Sequence, residues 1–304
     1  MRNTERLAKE AITLARPVRP NVETVEGPDV PGIRLRNVTQ GRAYRILLSL
    51  QSLPERQGTL INLGRTRAAM AEINGVWPSA DEAWLSLRSL DLSRPVREFL
   101  WRLMHNVPKV GKYWLNVPNM EHRSECQPCE VLETMDHILY ECSALGQDLI
   151  WTEAKGLWAK TGRQWPDISL GAIAGCGLIT IRDERGKVIP GPTRLLKIII
   201  SEAAFLIWKI RCERVIQHGN DVEKAPAEPE IINRFRAAIQ KRLKIDTMLT
   251  SRRKFKQRAV PIKTLRETWE QVLFQPHQGA PERWWTRPEL LVSMWPPRPR
   301  GRER

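Results

Sequence analysis

The sequence predicts a mainly α-helical protein of 304 residues, and three observations lead to this fold class. Apolar side chains recur at intervals of three and four residues along most of the chain, which is the period of one helix face. Proline, glycine and capping residues stand at the ends of these stretches, where helices begin or stop. Residues 179–189 alone have the pattern of paired strands, so we expect two helical domains and at most one small β-hairpin.

The N-terminal elements are two predicted helices joined by a linker. Residues 3–15 carry leucine, isoleucine and alanine along one side of a helix. Residues 17–32 are rich in proline, glycine and glutamate, which predicts a linker. A second helix is predicted over residues 39–52, with Tyr44 and Leu47 facing inward.

Three further helices are predicted in the first third of the chain. One covers residues 62–74, and Gly75 ends it. Ser79 and Glu82 have the capping-box spacing, in which each side chain bonds the backbone N–H of the other, so a helix begins at Ser79. Ser93 begins the next helix. Its apolar face consists of Val96, Phe99, Leu100 and Leu103.

The second half of the chain alternates helices with short breaks. Helices are predicted over residues 146–160, 195–216, 229–249 and 261–274. Residues 179–181 and 188–189, separated by a turn, predict the small hairpin. Residues 276–304 are rich in proline and arginine, which predicts an irregular tail.

Charge and composition narrow the classes of partner. The formal net charge is +15 and the isoelectric point is about 10.1, which suits RNA or DNA bound mainly without sequence specificity. The N-terminus lacks the apolar stretch of a secretion signal, and no window reaches the ~18 consecutive apolar residues of a membrane span. We therefore expect an intracellular protein, nuclear or cytoplasmic, that uses neither a membrane nor a small-molecule substrate.

One constellation of residues has a definite chemistry, namely Cys126-x2-Cys129-x7-His137-x4-Cys142. Three thiolates and one imidazole are the ligands that a tetrahedral zinc ion prefers. The first pair has the spacing of a zinc knuckle, and the second pair falls on a short helix predicted to begin near Thr134. Because four protein ligands leave no open position, the motif predicts a structural zinc ion (Zn²⁺).

Two other interpretations of this cluster stay open. The cysteines could lie near each other in sequence by chance, with His137 an ordinary helix residue. His122 could also take the place of one ligand. Cys176 and Cys212 lie far from the cluster in sequence and are predicted to be small buried side chains.

A second candidate site is the basic stretch 231–266. It contains twelve lysine and arginine residues against one acid, Asp246, and so supplies +11 of the chain's +15. Near its end, cationic side chains that could pair with phosphates surround Phe255, which could stack on a base. These predicted nucleic-acid contacts are Arg252, Arg253, Lys254, Lys256 and Arg258. The alternative is a solvated helix face followed by a loop.

Several motifs, in this order, resemble a known protein family. They are an F-L-W helix at Phe99–His105, the stretch Val110–Trp114, the CxxC pair, and E-T-x-D-H-I followed by a closing cysteine over Glu133–Cys142. This order is similar to the zinc-binding segment of reverse transcriptases from non-LTR retrotransposons. Ile199–Trp208 and Trp285–Arg287 resemble the region that follows the ribonuclease H domain in fungal polyproteins of this kind.

The resemblance implies a parent polyprotein that is an RNA-directed DNA polymerase with ribonuclease H. Residues 1–16 resemble the last helix of that ribonuclease H domain but lack its carboxylate cluster, and no paired-aspartate polymerase motif occurs. We therefore expect a non-catalytic fragment that binds zinc and nucleic acid. The implied parts are a ribonuclease H remnant (1–16), a linker (17–32) and a helical zinc-binding domain (33–165). A connector with the hairpin (166–192), a basic helical domain (193–275) and a tail (276–304) follow.

Two rival functions stay open. In a structural or interaction protein, zinc would fasten helices together and the 12 tryptophans, many at helical spacing, would form the core. A restriction-like endonuclease would hold a metal ion with Asp167 and Asp183 or Glu184, near Lys187. A helix cap and a hairpin turn explain the same residues without catalysis.

Overall fold

The computed structural model describes three stretches of the chain, residues 38–50, 56–274 and 280–286. Within them the fold is mainly α-helical, as predicted, with one small antiparallel sheet of two strands. The predicted helix over residues 3–15 and the linker over 17–32 lie outside the described residues. None of the described helices is both long and apolar enough to span a membrane.

Contacts divide the chain into two units, Met1–Pro54 and Glu55–Arg304. In the first unit the described element is helix α1, Gln40–Leu50, close to its predicted bounds. Tyr44 and Leu47 are 62 % and 60 % exposed, so the prediction that they face inward is wrong. Helical spacing creates an apolar stripe, but burial needs a second element to cover it, and α1 is the one element described in its unit.

The described part of the second unit contains ten α-helices. They are α2 Gln57–Asn74, α3 Ala80–Ser86, α4 Arg94–Met104, α5 Lys112–Leu115, α6 Gln147–Ala159, α7 Leu170–Ala174, α8 Pro190–Cys212, α9 Glu228–Leu249, α10 Arg252–Phe255 and α11 Ile262–Leu273. The longer ones match predicted helices. Helix α7 was not predicted, because five residues are too few to show a helical period. Its Gly171 packs so closely on α2 that an added Cβ would lie 2.3 Å from the Arg65 carbonyl oxygen.

The predicted helix ends at Ser79 and Gly75 are confirmed. The Ser79 hydroxyl accepts a hydrogen bond from the Glu82 N–H at 3.2 Å, and the Glu82 carboxylate accepts one from the Ser79 N–H at 2.7 Å. Gly75 ends α2 with a φ of 72°, a left-handed conformation that glycine adopts without strain. Local hydrogen bonding therefore decides where these helices stop and start.

The small sheet lies within the cysteine motif. It pairs β1, Glu125–Cys126, with β2, Val131–Leu132. At the predicted hairpin the chain folds back but forms a single bridge, between Arg182 and Val188. The Asp183 carboxylate accepts two backbone N–H groups there, at 2.8 and 3.0 Å, which closes a tight turn and leaves little length for a ladder.

The hydrophobic core surrounds α8. Sixteen of the 23 residues of α8 are buried, so this helix is covered on nearly every side and not only along one stripe. Helices α6, α9 and α11 pack against it, and so do α4 and the chain around His137. Trp284, in the stretch predicted as an irregular tail, is also buried and donates its indole N–H to Glu270 at 2.9 Å. The core is thus built around one central helix.

Arg194 is a buried charge near the start of α8. Its guanidinium donates to both carboxylate oxygens of Asp246 on α9, at 2.5 and 2.8 Å, and to Asp91 at 2.8 Å. Trp269 on α11 donates its indole N–H to the same Asp246 carboxylate at 2.8 Å. Burial lowers the pKa of Arg194, but the two carboxylates raise it by more, to above its ordinary value. This network ties α8, α9 and α11 together.

Replacing Asp246 by alanine leaves the Arg194 charge buried beside one carboxylate instead of two. We expect the free energy of unfolding to fall by about 3 to 5 kcal/mol, the usual cost of breaking a buried pair. Equilibrium denaturation in urea measures this loss. Glu98→Ala is the control, since Glu98 and Arg102 form an exposed pair, and it should cost less than about 1 kcal/mol. Similar losses for both variants would contradict a special role for the buried network.

Candidate metal centre

The first two predicted ligands lie on the small sheet. Cys126 ends β1, and Cys129 lies in the turn that leads to β2. The Cys126 carbonyl accepts hydrogen bonds from the N–H groups of Cys129 and Glu130, at 3.2 and 2.7 Å. Glu130 has a φ of 54°, a left-handed conformation that reverses the chain within a short distance. The turn therefore brings the two sulfurs together.

His137 and Cys142 lie at the two ends of a π-helical turn, His137–Glu141. The Thr134 hydroxyl accepts a hydrogen bond from the His137 N–H at 3.0 Å, and the Cys142 N–H donates to the His137 carbonyl at 2.7 Å. That last bond spans five residues, one more than in an α-helix. Residues five apart diverge on an α-helix, so the wider turn brings both ligands to one side.

The ligand atoms of the four residues all lie within 4.8 Å of one another. The Cys142 Sγ atom is 3.6 Å from the Cys126 Sγ atom and 3.8 Å from the Cys129 Sγ atom. These distances are far longer than the ~2.0 Å of a disulfide, and the three cysteines are free. Sulfurs that lie about 2.3 Å from one tetrahedral ion are about 3.8 Å apart. The spacing therefore fits a shared metal ion.

The ligand side chains are buried, and one of their polar atoms lacks a partner that a metal ion could provide. Cys126, Cys142 and His137 are 2 %, 7 % and 6 % exposed. The Nε2 atom of His137 is buried and has no hydrogen-bond partner within the described residues. An unsatisfied buried polar atom costs about 1–3 kcal/mol, and a metal ion bound to this nitrogen would remove that cost. The Cys3His set thus fits a metal centre closed by four protein ligands.

The thiols of the cluster differ in acidity. Burial raises the pKa of Cys129, but hydrogen bonds with Ser143 and the neighbouring thiols outweigh this and lower the pKa to about 7. Burial, together with the nearby charge of Cys126, raises the pKa of Cys142 to about 12. Because thiolates crowded in one buried site repel each other, a divalent cation would favour their ionised form and displace their protons.

Ion pairs fix the cluster to the surrounding helices. Arg211 on α8 pairs with Glu133, just before the π-turn, and both side chains are buried. Arg65 on α2 pairs with Asp136, whose carboxylate also accepts the Tyr140 hydroxyl. Sequence reasoning missed these supporting residues, although both acids lie within the E-T-x-D-H motif. Such outer contacts orient metal ligands, so the cluster is held from two sides.

His122, the alternative ligand, and the two remaining cysteines lie apart from the cluster. In the part of the chain that the structure describes, the Cys3His set is the one group of three or more His, Cys, Asp or Glu residues close enough to hold a metal ion. His122 is exposed and does not belong to it. Cys176 is fully buried, which raises its pKa to about 12, and Cys212 is partly buried. Both cysteines are outside the site, as expected.

The structure does not assemble the carboxylates of the endonuclease interpretation. Asp183 closes the tight turn described above with the backbone of Lys187, and Glu184 lies in that turn. Asp167 is exposed, before the start of α7. None of the three acids belongs to a group that could hold a metal ion among the described residues.

The basic stretch 231–266 contains both paired and unpaired cations. Five of its twelve cations form ion pairs with acids of the core helices and turns, namely Arg234, Arg236, Arg242, Lys263 and Arg266. The five predicted nucleic-acid contacts lie on α10 and the 3₁₀ turn Lys256–Arg258, are all exposed, and form no ion pair with another described residue. Phe255 among them is partly buried. We call residues 252–258 the basic turn, and its charge is available to an anion.

Replacing Cys142 by serine should abolish stable metal binding. The substitution removes a sulfur that lies within 3.8 Å of both other thiols, and three remaining ligands bind a soft divalent ion much more weakly. Elemental analysis of reduced, purified protein should fall from about one metal ion per chain to near zero. Cys212→Ala is the control, because Cys212 lies outside the cluster and its loss should leave the metal content unchanged. Full metal content in Cys142→Ser would contradict this assignment.

Comparison with known proteins does not identify a relative. No family of known proteins matches this chain, and neither a characterised protein nor a solved structure shows significant similarity to it. The resemblance to reverse transcriptases therefore stays a prediction from the motifs. The candidate sites rest on the residues and their geometry.

Proposed function

We propose that this chain is a non-catalytic, zinc-binding module that holds RNA or DNA for a reverse transcriptase of the non-LTR retrotransposon type. The observation that supports nucleic-acid binding most strongly is the basic turn, with five exposed cations that no described acid neutralises. The order of the aromatic helix, the cysteine pair and the E-T-x-D-H stretch supports the retrotransposon origin. The parent protein would act inside the cell, in the nucleus or cytoplasm.

Zinc is the metal that best suits the cluster. Three sulfur ligands and one imidazole are soft to borderline donors, which disfavour magnesium and calcium. Zinc prefers a tetrahedron of such ligands. It also has no redox chemistry of its own, so it does not oxidise the cysteines that bind it. With all four positions taken by protein, the ion would stabilise the fold and would leave no position for a substrate or a reactive water.

The distribution of charge supports binding through phosphates. Phosphate contacts release counterions from a nucleic acid and supply most of its nonspecific affinity. Five cations of the stretch 231–266 are paired with protein carboxylates, and five of the seven that form no ion pair with a described residue lie together in the basic turn, the other two being Lys241 and Lys244 on α9. We therefore assign the phosphate contacts to Arg252, Arg253, Lys254, Lys256 and Arg258. Binding of this kind is strong at low salt and carries little sequence preference.

A second candidate function, zinc as a fold clasp in a structural or interaction protein, is favoured by a different observation. The cluster is joined to α8 through Glu133 and Arg211 and to α2 through Asp136 and Arg65. An ion that orders the cysteine loop would thereby hold Glu133 against α8 and Asp136 against α2. This role is compatible with nucleic-acid binding, and it makes a separate prediction about stability.

Neutralising three cations of the basic turn, in the variant Arg252→Ala/Arg253→Ala/Lys254→Ala, should weaken binding to RNA and DNA. The slope of log affinity against log salt should become shallower by about 2 to 3, because each phosphate contact contributes ~0.7–0.9. Titrations by fluorescence anisotropy at several salt concentrations measure both effects.

The matched control for this experiment is Lys263→Ala/Arg266→Ala. These cations lie on the neighbouring helix α11 and face Glu267 and Glu270. We expect a much smaller change in affinity and slope for this variant. Affinity that does not depend on salt, or that survives in the triple variant, would contradict the proposed function.

Removing zinc with a chelator should lower the melting temperature and expose the backbone amides of residues 125–142 to hydrogen exchange. The physical reason is that metal binding in such sites is coupled to folding. Adding back zinc should restore both properties, and adding magnesium should not. Unchanged melting and exchange after complete removal of metal would contradict the clasp, while leaving the salt-dependent binding test unaffected.

A further inference from the structure

A groove with aromatic walls opens next to the metal centre. Its volume is about 580 Å³, and it is bounded by α4, the segment 107–123 and the end of α8. Trp101, Trp114 and Trp208 line it. Neither the zinc ligands nor the basic turn contribute to its walls, so it is distinct from both sites described above.

Trp101 offers the most accessible ring of the groove. It is 50 % exposed, although tryptophan is among the most strongly buried residue types on average. The ring contact that holds it is an edge contact with His105, at 4.4 Å between centroids and an angle of 60°. By contrast, the Trp208 ring already contacts both the Phe99 ring and the Arg211 guanidinium. Trp101 is therefore the ring that could stack on a flat ligand.

The second aromatic position combines Trp114 with a cation. The guanidinium carbon of Arg123 lies 5.3 Å from the centre of the Trp114 ring. The indole N–H of Trp114 donates to the Lys109 carbonyl at 2.9 Å, which fixes the ring against the segment 107–123. Guanidinium and indole planes together form a platform on which a nucleobase can stack.

The charge of the groove is positive. Glu98 is the single acid in its lining, and it is already paired with Arg102 at 2.7 Å. Lys109 and Arg123 form no ion pair with any residue in the described stretches. Two uncompensated cations therefore stand beside the aromatic rings, at positions where they could contact the phosphates of a bound strand.

We propose that this groove binds unpaired bases of a single-stranded nucleic acid, with Trp101 as the base platform and Lys109 and Arg123 as phosphate contacts. The proposal rests on the proposed function. It adds to the basic turn a second nucleic-acid contact, one that prefers single strands to duplexes. Aromatic rings beside cations bind single strands because every base has a π-face, whereas the bases of a duplex are already stacked and paired. An apolar or proline-rich peptide would use the rings but would leave the two cations without a partner.

The test compares two single strands of equal length and charge, one of fifteen thymidines and one with abasic residues in place of the bases. Stacking requires bases, whereas phosphate contacts do not. The wild-type protein should bind the base-containing strand more tightly than the abasic strand. Trp101→Ala should lose roughly 5- to 150-fold of the affinity for the base-containing strand, the range for one stacked base, and little for the abasic strand.

Two variants control for damage to the fold. Trp101→Phe keeps an aromatic face and should retain most of the preference for bases. Trp77→Ala removes a tryptophan that is 57 % exposed and lies outside the groove, so its binding should match that of the wild type. If Trp101→Ala melts early, ultraviolet cross-linking of a 4-thiouridine strand to the wild-type protein, mapped by mass spectrometry, supplies the same information. Cross-links at Trp101 or Trp114 support the groove.

The outcomes separate this proposal from the proposed function. Equal wild-type affinity for both strands, or cross-links confined to the basic turn, would overturn the groove while leaving salt-dependent binding intact. A wild-type protein that binds no strand would overturn both. Running the same comparison with uridine strands distinguishes RNA from DNA as the source of the bases.

Discussion

Two arginines on α8 have to be neutralised inside the protein, and the placement of the neighbouring elements follows from this requirement. Arg194 and Arg211 are 8 % and 6 % exposed, and the seventeen residues from one to the other span about 25 Å of helix. An unpaired buried charge costs several kcal/mol. Asp246 on α9 meets this requirement at one end and Glu133 beside the metal centre at the other. Helix α8 therefore connects the C-terminal helices to the cysteine cluster.

The geometry of the candidate metal centre depends on that connection as well as on its own four residues. Its four residues come from a two-residue strand, a turn and a π-turn, none of which has a hydrophobic core of its own. The metal ion would hold these pieces to each other, and Glu133 and Asp136 hold them to α8 and α2. The ion pairs Arg211–Glu133 and Arg65–Asp136 therefore link the stability of the loop to that of the helical core.

The distribution of positive charge follows the same physical rule. Cations near protein carboxylates become ion pairs that stabilise helices, as Arg236 does with Glu153, and cations without such partners are available to ligands. The basic turn and the aromatic groove are two places in the described part of the chain where cations without an ion pair reach the surface. Under the proposed function, the basic turn would contact phosphates and the groove would also stack on bases.

The longer helices, the helix ends at Ser79 and Gly75, and the four candidate ligands could be predicted from the sequence, because each depends on spacing or hydrogen bonds within a few residues. The short helix α7, the unpaired cations and the residues that support the cysteine cluster became visible only in the folded structure. Arg211 and Glu133 are 78 residues apart, and Arg236 and Glu153 are 83 apart. Such pairs leave no periodic signal in a sequence. They exist because packing around α8 brings distant side chains together, and for a buried pair such as Arg211 and Glu133 the low dielectric makes an unpaired charge costly.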